Sequence, residues 1–206
     1  RMNEENGQYC QLVASGLTNP DSRYVINVMS PATLSDGTAL TAQQVCWWVG
    51  GALAGAMYNE SLTGATYPNA VSTTLMTNSQ YIAALNGGQF VLAADNGRVY
   101  VEQDINSLTT YTTDITEVYR YNRTMRLANT IANDLYQQFS TNYLGIVNNN
   151  AQGRSIFQAA IVGYLLDIQN NQGIQNFEAS DVTVEAGEAI NAIVVTINIQ
   201  PVVSVE

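Results

Sequence analysis

Between Val118 and Phe139 runs the pattern that most limits what this chain can fold into. Val118, Tyr121, Met125, Ala128, Ala132, Leu135 and Phe139 recur at three-four spacing and make one continuous apolar stripe on a helix. Asp114, with Glu117 three residues on, reads as the capping box that starts it, and Gly145 closes the segment. Beyond the loop Asn148-Asn149-Asn150 a second amphipathic helix carries Phe157, Ile161, Tyr164, Leu165 and Ile168 and ends near Gly173. Two strands follow, Val182 to Glu185 and Ile193 to about Ile199. In the last, Ile193, Val195, Ile197 and Ile199 face one way and Val194, Thr196 and Asn198 the other, with the odd-numbered side inward. Val203 and Val205 continue that side beyond Pro201. Two long helices and then two strands make an α+β unit. A charge on its inward side, as in Val195→Asp, is expected to unfold it.

Upstream the organisation differs. "QYCQLVASG" (8–16) and Tyr24 to Met29 read as strands, and "SDGT" at 35–38 as a turn. Thr41 and Gln44 form a capping box for a helix running to about Tyr58. Val45, Trp48, Val49, Ala52 and Ala56 fall on its buried face, with Trp47 and Leu53 widening it. Gly50, Gly51 and Gly55 each cost roughly 1 kcal/mol of helix propensity, which close packing against a sheet would offset. Ser79 caps a short helix to Asn86, with Tyr81, Ile82 and Leu85 inward. Phe90 to Ala93 and Arg98 to Val101 flank Asp95-Asn96-Gly97, a hairpin signal. Strands and helices thus alternate up to residues 106–114, where the hydroxyl-rich connection Ser107 to Thr113 begins. The fold class is α+β (mixed α/β).

The chain has 206 residues, a net charge of −10, seven basic residues that are all arginine, and no histidine. Without a basic face, nucleic acid and anionic membrane surfaces are disfavoured partners. Without histidine, a Ser-His-Asp or Cys-His arrangement cannot be built and the commonest metal ligand is absent. No phosphate-binding, dinucleotide-binding or metalloprotease motif occurs. The hydroxyl run has no base within reach, so its hydroxyls are expected to bond local backbone ahead of the capped helix. Cys10 and Cys46 read as free, buried thiols of a reducing compartment. No signal peptide is legible in residues 1–16, and the 13-residue apolar run Val45 to Met57 is too short to span a bilayer. Charged residues are 12%, about half the usual share, so an amide-rich surface suits packing against copies of itself. Arg120, Arg123 and Arg126 form a row near the start of the striped helix. It reads first as a solvated face and second as a contact to an acidic partner surface.

Several phrases, in order, carry a resemblance: "TAQQVCWWVGGALAGAMYNESLTGATYPNA" (41–70), "NGGQFVLAADNGRVYVEQDINSLTTYT" (86–112), "YRYNRTMRLANTIANDL" (119–135), "GIVNNNAQGRSIFQAAIVGYL" (145–165), "GIQNF" (173–177) and "IQPV" (199–202). Together they resemble the tail sheath protein of contractile phage tails and of related prophage-encoded particles. The resemblance implies that residues 1–108 are the last part of a subtilisin-like α/β domain. It implies that 112–206 are a smaller C-terminal α+β domain of two long helices and a terminal β-hairpin. Subtilisin-like describes a fold here and does not carry activity. The resemblance also implies longer ends, with a terminal arm absent from this chain. Such a fragment is expected to fold as a monomer or weak oligomer without forming a sleeve.

By the same resemblance the function is structural and non-enzymatic, without cofactor or metal. Subunits polymerise into stacked rings around the tail tube, joined by strand addition between neighbours, and contract to drive the tube through the target envelope. The implied partners are neighbouring sheath subunits, the tail tube protein, the baseplate and the tail terminator, in a virion tail assembled in the bacterial cytoplasm. The subunit-contact candidates are Ile193, Val195, Ile197, Ile199, Arg120 and Arg123. The alternatives are a surface-binding module for glycans or host adhesion and, remotely, a subtilisin-like hydrolase lacking the histidine.

Overall fold

The computed structural model describes residues 10–204; residues 8 and 9 of the first expected strand lie outside them. The chain divides into two compact units, Cys10–Arg126 and Leu127–Val202.

In the first unit, β1 (Leu12–Ser15), β2 (Val25–Val28) and β6 (Gln89–Phe90) form a parallel sheet in the order β1-β2-β6. Leu12 pairs with Val25, and Val28 with Phe90. Ile26, Val28 and Phe90 are fully buried, as expected of strands in a parallel sheet. The helix α1 (Ala42–Gly55) packs on β1 and β2. Its start is the expected capping box: Gln44 donates its backbone N–H to the Thr41 hydroxyl and accepts from the Thr41 N–H. Such a cap is worth about 1 kcal/mol. Val45 and Val49 are its buried residues. Around this layer, β3 (Ala32–Leu34) lies between β4 (Ala39–Leu40) and β5 (Ala70–Thr73) in an antiparallel sheet, and β7 (Leu92–Asp95) pairs with β8 (Arg98–Val101). Asn96 and Gly97 turn that hairpin with φ of 50° and 76°, the left-handed pair that a two-residue turn needs. Phe90, expected in the hairpin, belongs instead to the parallel sheet.

Several expectations fail here, among them an inward Ile82, which is 51% exposed. Trp47 is 84% exposed; two positions from both Val45 and Val49, it falls on the opposite side of the helix, and only Trp48 turns inward, stacking on Tyr67 with ring centroids 4.3 Å apart. Among the described residues, a Cβ at Gly50, Gly51 or Gly55 would meet no neighbouring element within 4 Å, so the expected close packing is not there. The helix α2 (Asn78–Asn86) is capped by Thr77, not Ser79, because Gln80 at the third position completes a box with Thr77. Cys46 is half-buried, while Cys10 is exposed rather than buried; neither is in a disulfide.

The largest departure follows β8. Asp114 caps nothing. A single 3-10 turn (Glu117–Arg120) intervenes, and the long helix α3 (Asn122–Asn142) begins seven residues later than expected. Two of its most buried apolar residues, Leu127 and Ile131, lie beside the expected stripe.

The second unit holds the rest of α3, then α4 (Ala151–Asn170), whose buried Phe157, Ile161, Leu165 and Ile168 match the expected face. Asn150 caps α4 by accepting the Gly153 N–H at 2.8 Å. The short strands β9 (Ile174–Gln175) and β12 (Gln200–Pro201) pair antiparallel, as do β10 (Val182–Ala186) and β11 (Ile193–Ile197). The closing strand stops at Ile197, short of the expected Ile199. No helix among the described residues is long and apolar enough to cross a membrane.

Two glycines give opposite expectations. Gly51→Ala should raise stability by about 0.5–1 kcal/mol, since it adds helix propensity without a clash. Gly88 has φ of +68°, and a Cβ there would lie 2.7 Å from the Ser107 carbonyl oxygen, so Gly88→Ala should cost at least about 2 kcal/mol. Urea unfolding of the two variants checks both signs.

Candidate subunit-contact surface

The β10–β11 hairpin is held in register by Val182 opposite Ile197 through Ala186 opposite Ile193. It rests on α4: Val182 is fully buried, and the Gln158 amide donates to the Val182 carbonyl at 2.7 Å. At the hairpin tip the Asn149 amide donates to the carbonyls of Ile190 and Ala192, and the Arg154 guanidinium donates to the Asn149 side-chain oxygen. Tyr164 ties α4 to α3 by donating to the Asp134 carboxylate at 2.6 Å.

The odd-numbered side of β11 does face the helices, but it does not close on them. Ile193, Val195 and Ile197 line an open apolar cleft of about 360 Å³ with Leu135, Tyr136 and Phe139 of α3 and Phe157 and Ile161 of α4. Ile193, Ile197 and Ile199 are half-buried. Val195 is 36% exposed, so it sits on a cleft wall and not in a core. On the opposite face Val194 is 52% exposed. Among the described residues β11 pairs only with β10, so its other edge presents unbonded backbone groups. It carries none of the usual guards of an open edge, having neither charge nor proline in its five residues, IVVTI.

The arginine row belongs to the first unit, and it is not a solvated face. Arg120 donates to the Leu85 carbonyl. Arg126 donates to the carbonyls of Met57 and Glu60, at 3.1 and 2.7 Å, and lies 3.5 Å from the Asp104 carboxylate. Arg123 is half-buried; burial first, and then the charge of Arg126, lower its pKa from the ordinary arginine value. Arg120 and Arg123 belong to the first unit, and Ile193, Val195, Ile197 and Ile199 to the second. Sequence reasoning missed what organises this region: Asp104, 1% exposed, accepts the Leu62 N–H at 2.9 Å and the Asn122 amide at 2.8 Å. No spacing rule links positions 62, 104, 122 and 126.

The hydroxyl run also bonds differently from expectation. Thr112 does serve local backbone, accepting the Ile115 N–H. Ser107, however, donates to the Ser22 carbonyl and accepts the Ser22 N–H. Asp21 accepts from the Thr109 hydroxyl and from the N–H groups of Thr109 and Thr110. The run is thus fastened to a loop more than 80 residues away in sequence. No group of three or more His, Cys, Asp or Glu among the described residues could hold a metal ion.

Comparison with known proteins places this fold. Residues 1–107 match the family model of the phage tail sheath protein central domain, and residues 114–206 that of the phage tail sheath C-terminal domain. The chain belongs to the phage tail sheath family. A sheath tail protein from Desulfitobacterium hafniense is 38% identical with a TM-score of 0.92, over all of this chain and 49% of that one. The phage-like element PBSX protein XkdK of Bacillus subtilis is 28% identical over all of this chain and 46% of its own length. The helical sheath of the anti-feeding prophage in its contracted state, 14% identical with a TM-score of 0.72 over 95% of this chain and 59% of that one, shares the fold. The sheath chain described here thus spans about half the length of the relatives it matches.

The Asp21 clasp has a pH signature. Hydrogen bonding by the Thr110 hydroxyl first, and then by the backbone N–H groups of Thr109 and Thr110, lowers its carboxyl pKa to about 2 from 3.8. A depressed folded-state pKa gives stability that is fully present above the unfolded value and is lost as pH falls through the folded one. The melting-temperature gap between the parent and Asp21→Asn should therefore be constant near neutrality and narrow from about pH 4 to about pH 2. Thermal scans across that range would show a pH-independent gap if the clasp were unimportant.

Proposed function

We propose that this chain is part of a structural, non-enzymatic subunit of a contractile tail sheath. The subunit polymerises into stacked rings around a tail tube and contracts to drive the tube through a target envelope. Family membership supports this reading, and the unguarded edge of β11 above its apolar cleft carries it on the chain itself. An added strand would satisfy the open backbone groups of β11, and its alternate side chains would fill the cleft, which is β-strand addition between subunits.

Ile193, Val195, Ile197 and Ile199 are the proposed contacts to a neighbouring sheath subunit. Arg120, already bonded to Leu85, and Arg123 enter the proposal as residues that hold the start of α3 in place for such contacts. The division into a subtilisin-like part at 1–108 and a C-terminal part at 112–206 belongs to the same reading. So do the tail tube, baseplate and terminator as further partners, and assembly in the bacterial cytoplasm. Sliding of subunits joined by backbone strands would let stored free energy be released without a nucleotide. A few kcal/mol per subunit, on the order of the gap in other bistable packings, sums to a large drive over many copies.

The test separates folding from assembly. Val195→Asp places a charge on an exposed cleft wall and should cost about 1–2 kcal/mol of stability. In the full-length gene product it should abolish sleeves and polysheaths seen by electron microscopy. Val182→Asp, at a fully buried site, should instead unfold the unit, at about 3–5 kcal/mol. Normal sleeves from a folded Val195→Asp protein would remove β11 from the contact.

A further inference from the structure

The stretch that separates the two family matches, residues 108–113, has the look of the joint between two domains. The hydrogen bonding contradicts that. Ile105 and Tyr121 form an antiparallel bridge. Next to it the Asn106 N–H donates to the Arg120 carbonyl at 2.9 Å, the Asn106 amide donates to the Tyr119 carbonyl at 2.8 Å, and the Asn122 N–H donates to the Asp104 carbonyl at 3.0 Å. The segment from Ser107 to Tyr119 is therefore a loop whose two ends are already joined. Beyond the loop, Asn122 and Arg126 are held by the buried Asp104 carboxylate and by the carbonyls of Met57 and Glu60. Gln11 adds a bond to the Asn122 side chain at 2.8 Å.

Burial follows the same division. Asp104, Asn106 and Asn122 are at most 1% exposed, while every residue from Thr109 to Asp114 is exposed. Polar groups that deep are fixed by their partners, because an unpaired one would cost the full desolvation penalty. The exposed loop is held by the Asp21 clasp alone at its near end, through bonds that water can replace.

We propose that the covalent connection through residues 109–116 is dispensable, and that the buried clasp of Asp104 with Asn122 and Arg126 is the true joint by which the C-terminal segment is attached to the first unit. This proposal stands whether or not the chain forms a sheath, since it concerns only bonds within Cys10–Arg126.

The experiment is a native cut. A short protease recognition sequence is inserted between Thr113 and Asp114 of the full chain, and the folded protein is cleaved. The uncut insertion variant should melt within about 3 °C of the parent, because lengthening a closed loop costs little. After cleavage the two pieces should co-elute at micromolar concentration, and Leu62 and Asn122 amides should keep their protection from hydrogen exchange. Adding Asp104→Ala should make the cut pieces separate, while the same variant uncut stays a single folded species. Separation of the cut pieces with Asp104 intact, or unfolding caused by the insertion itself, would overturn the proposal. So would co-elution that survives Asp104→Ala, because the joint would then lie elsewhere.

Discussion

A single buried carboxylate organises the first unit. An ionised side chain removed from water is tolerable only when its lone pairs are met by donors and its charge by an opposite one. Asp104 has the Leu62 N–H, the Asn122 amide and the Arg126 guanidinium. Leu62 comes from one piece of chain and Asn122 and Arg126, one turn apart on α3, from another, so satisfying the carboxylate fixes the loop at 57–63, the run after β8 and the start of α3 in one arrangement. Arg126 reinforces it through two backbone carbonyls. The geometry is over-determined: losing any one partner leaves a charge or a buried amide unmet, and nothing else nearby replaces it.

The second unit is built on the opposite principle. Its helices bury one apolar face, and its hairpin leans on α4 through Val182 and the Gln158 amide. Yet β11 stops short of sealing the cleft that Phe139, Phe157 and Ile161 line with it. A protein that stays alone guards such an edge with lysine, proline or a bulge. This strand has none of them, and a chain with few charged side chains has little with which to supply them. The first unit thus holds a locked polar joint and the second an open apolar edge.

Much of the fold was legible because local physics agreed with the final arrangement. The Thr41–Gln44 box, the Asn96-Gly97 turn and the α4 face all rest on contacts within a few residues. Reading failed where two local signals competed or where partners were distant. Thr77 and Ser79 both suit a cap, and only the third-position Gln80 decides between them. Asp114 has the spacing of a cap, but pairing of Ile105 with Tyr121 holds the chain extended past it, so the helix waits until Asn122. Trp47 looks like core in a run of apolar letters, and the turn of α1 points it outward. The glycines of α1 have no compensating contact among the described residues.

The sequence by itself determined the two amphipathic helices, the alternating last strand, the absence of a histidine-based site and the ordered phrases that mark the tail sheath family. Periodicity, caps and composition are local properties, and they survive any tertiary arrangement. Only the tertiary structure decided that the arginines bond inward, that Val195 lines a cleft instead of filling a core, and that the apparent linker is a closed loop. Those outcomes depend on groups from 18 to 111 residues apart meeting at a few ångströms, as Asp104 and Gln11 each do with Asn122. No spacing along the chain encodes that meeting.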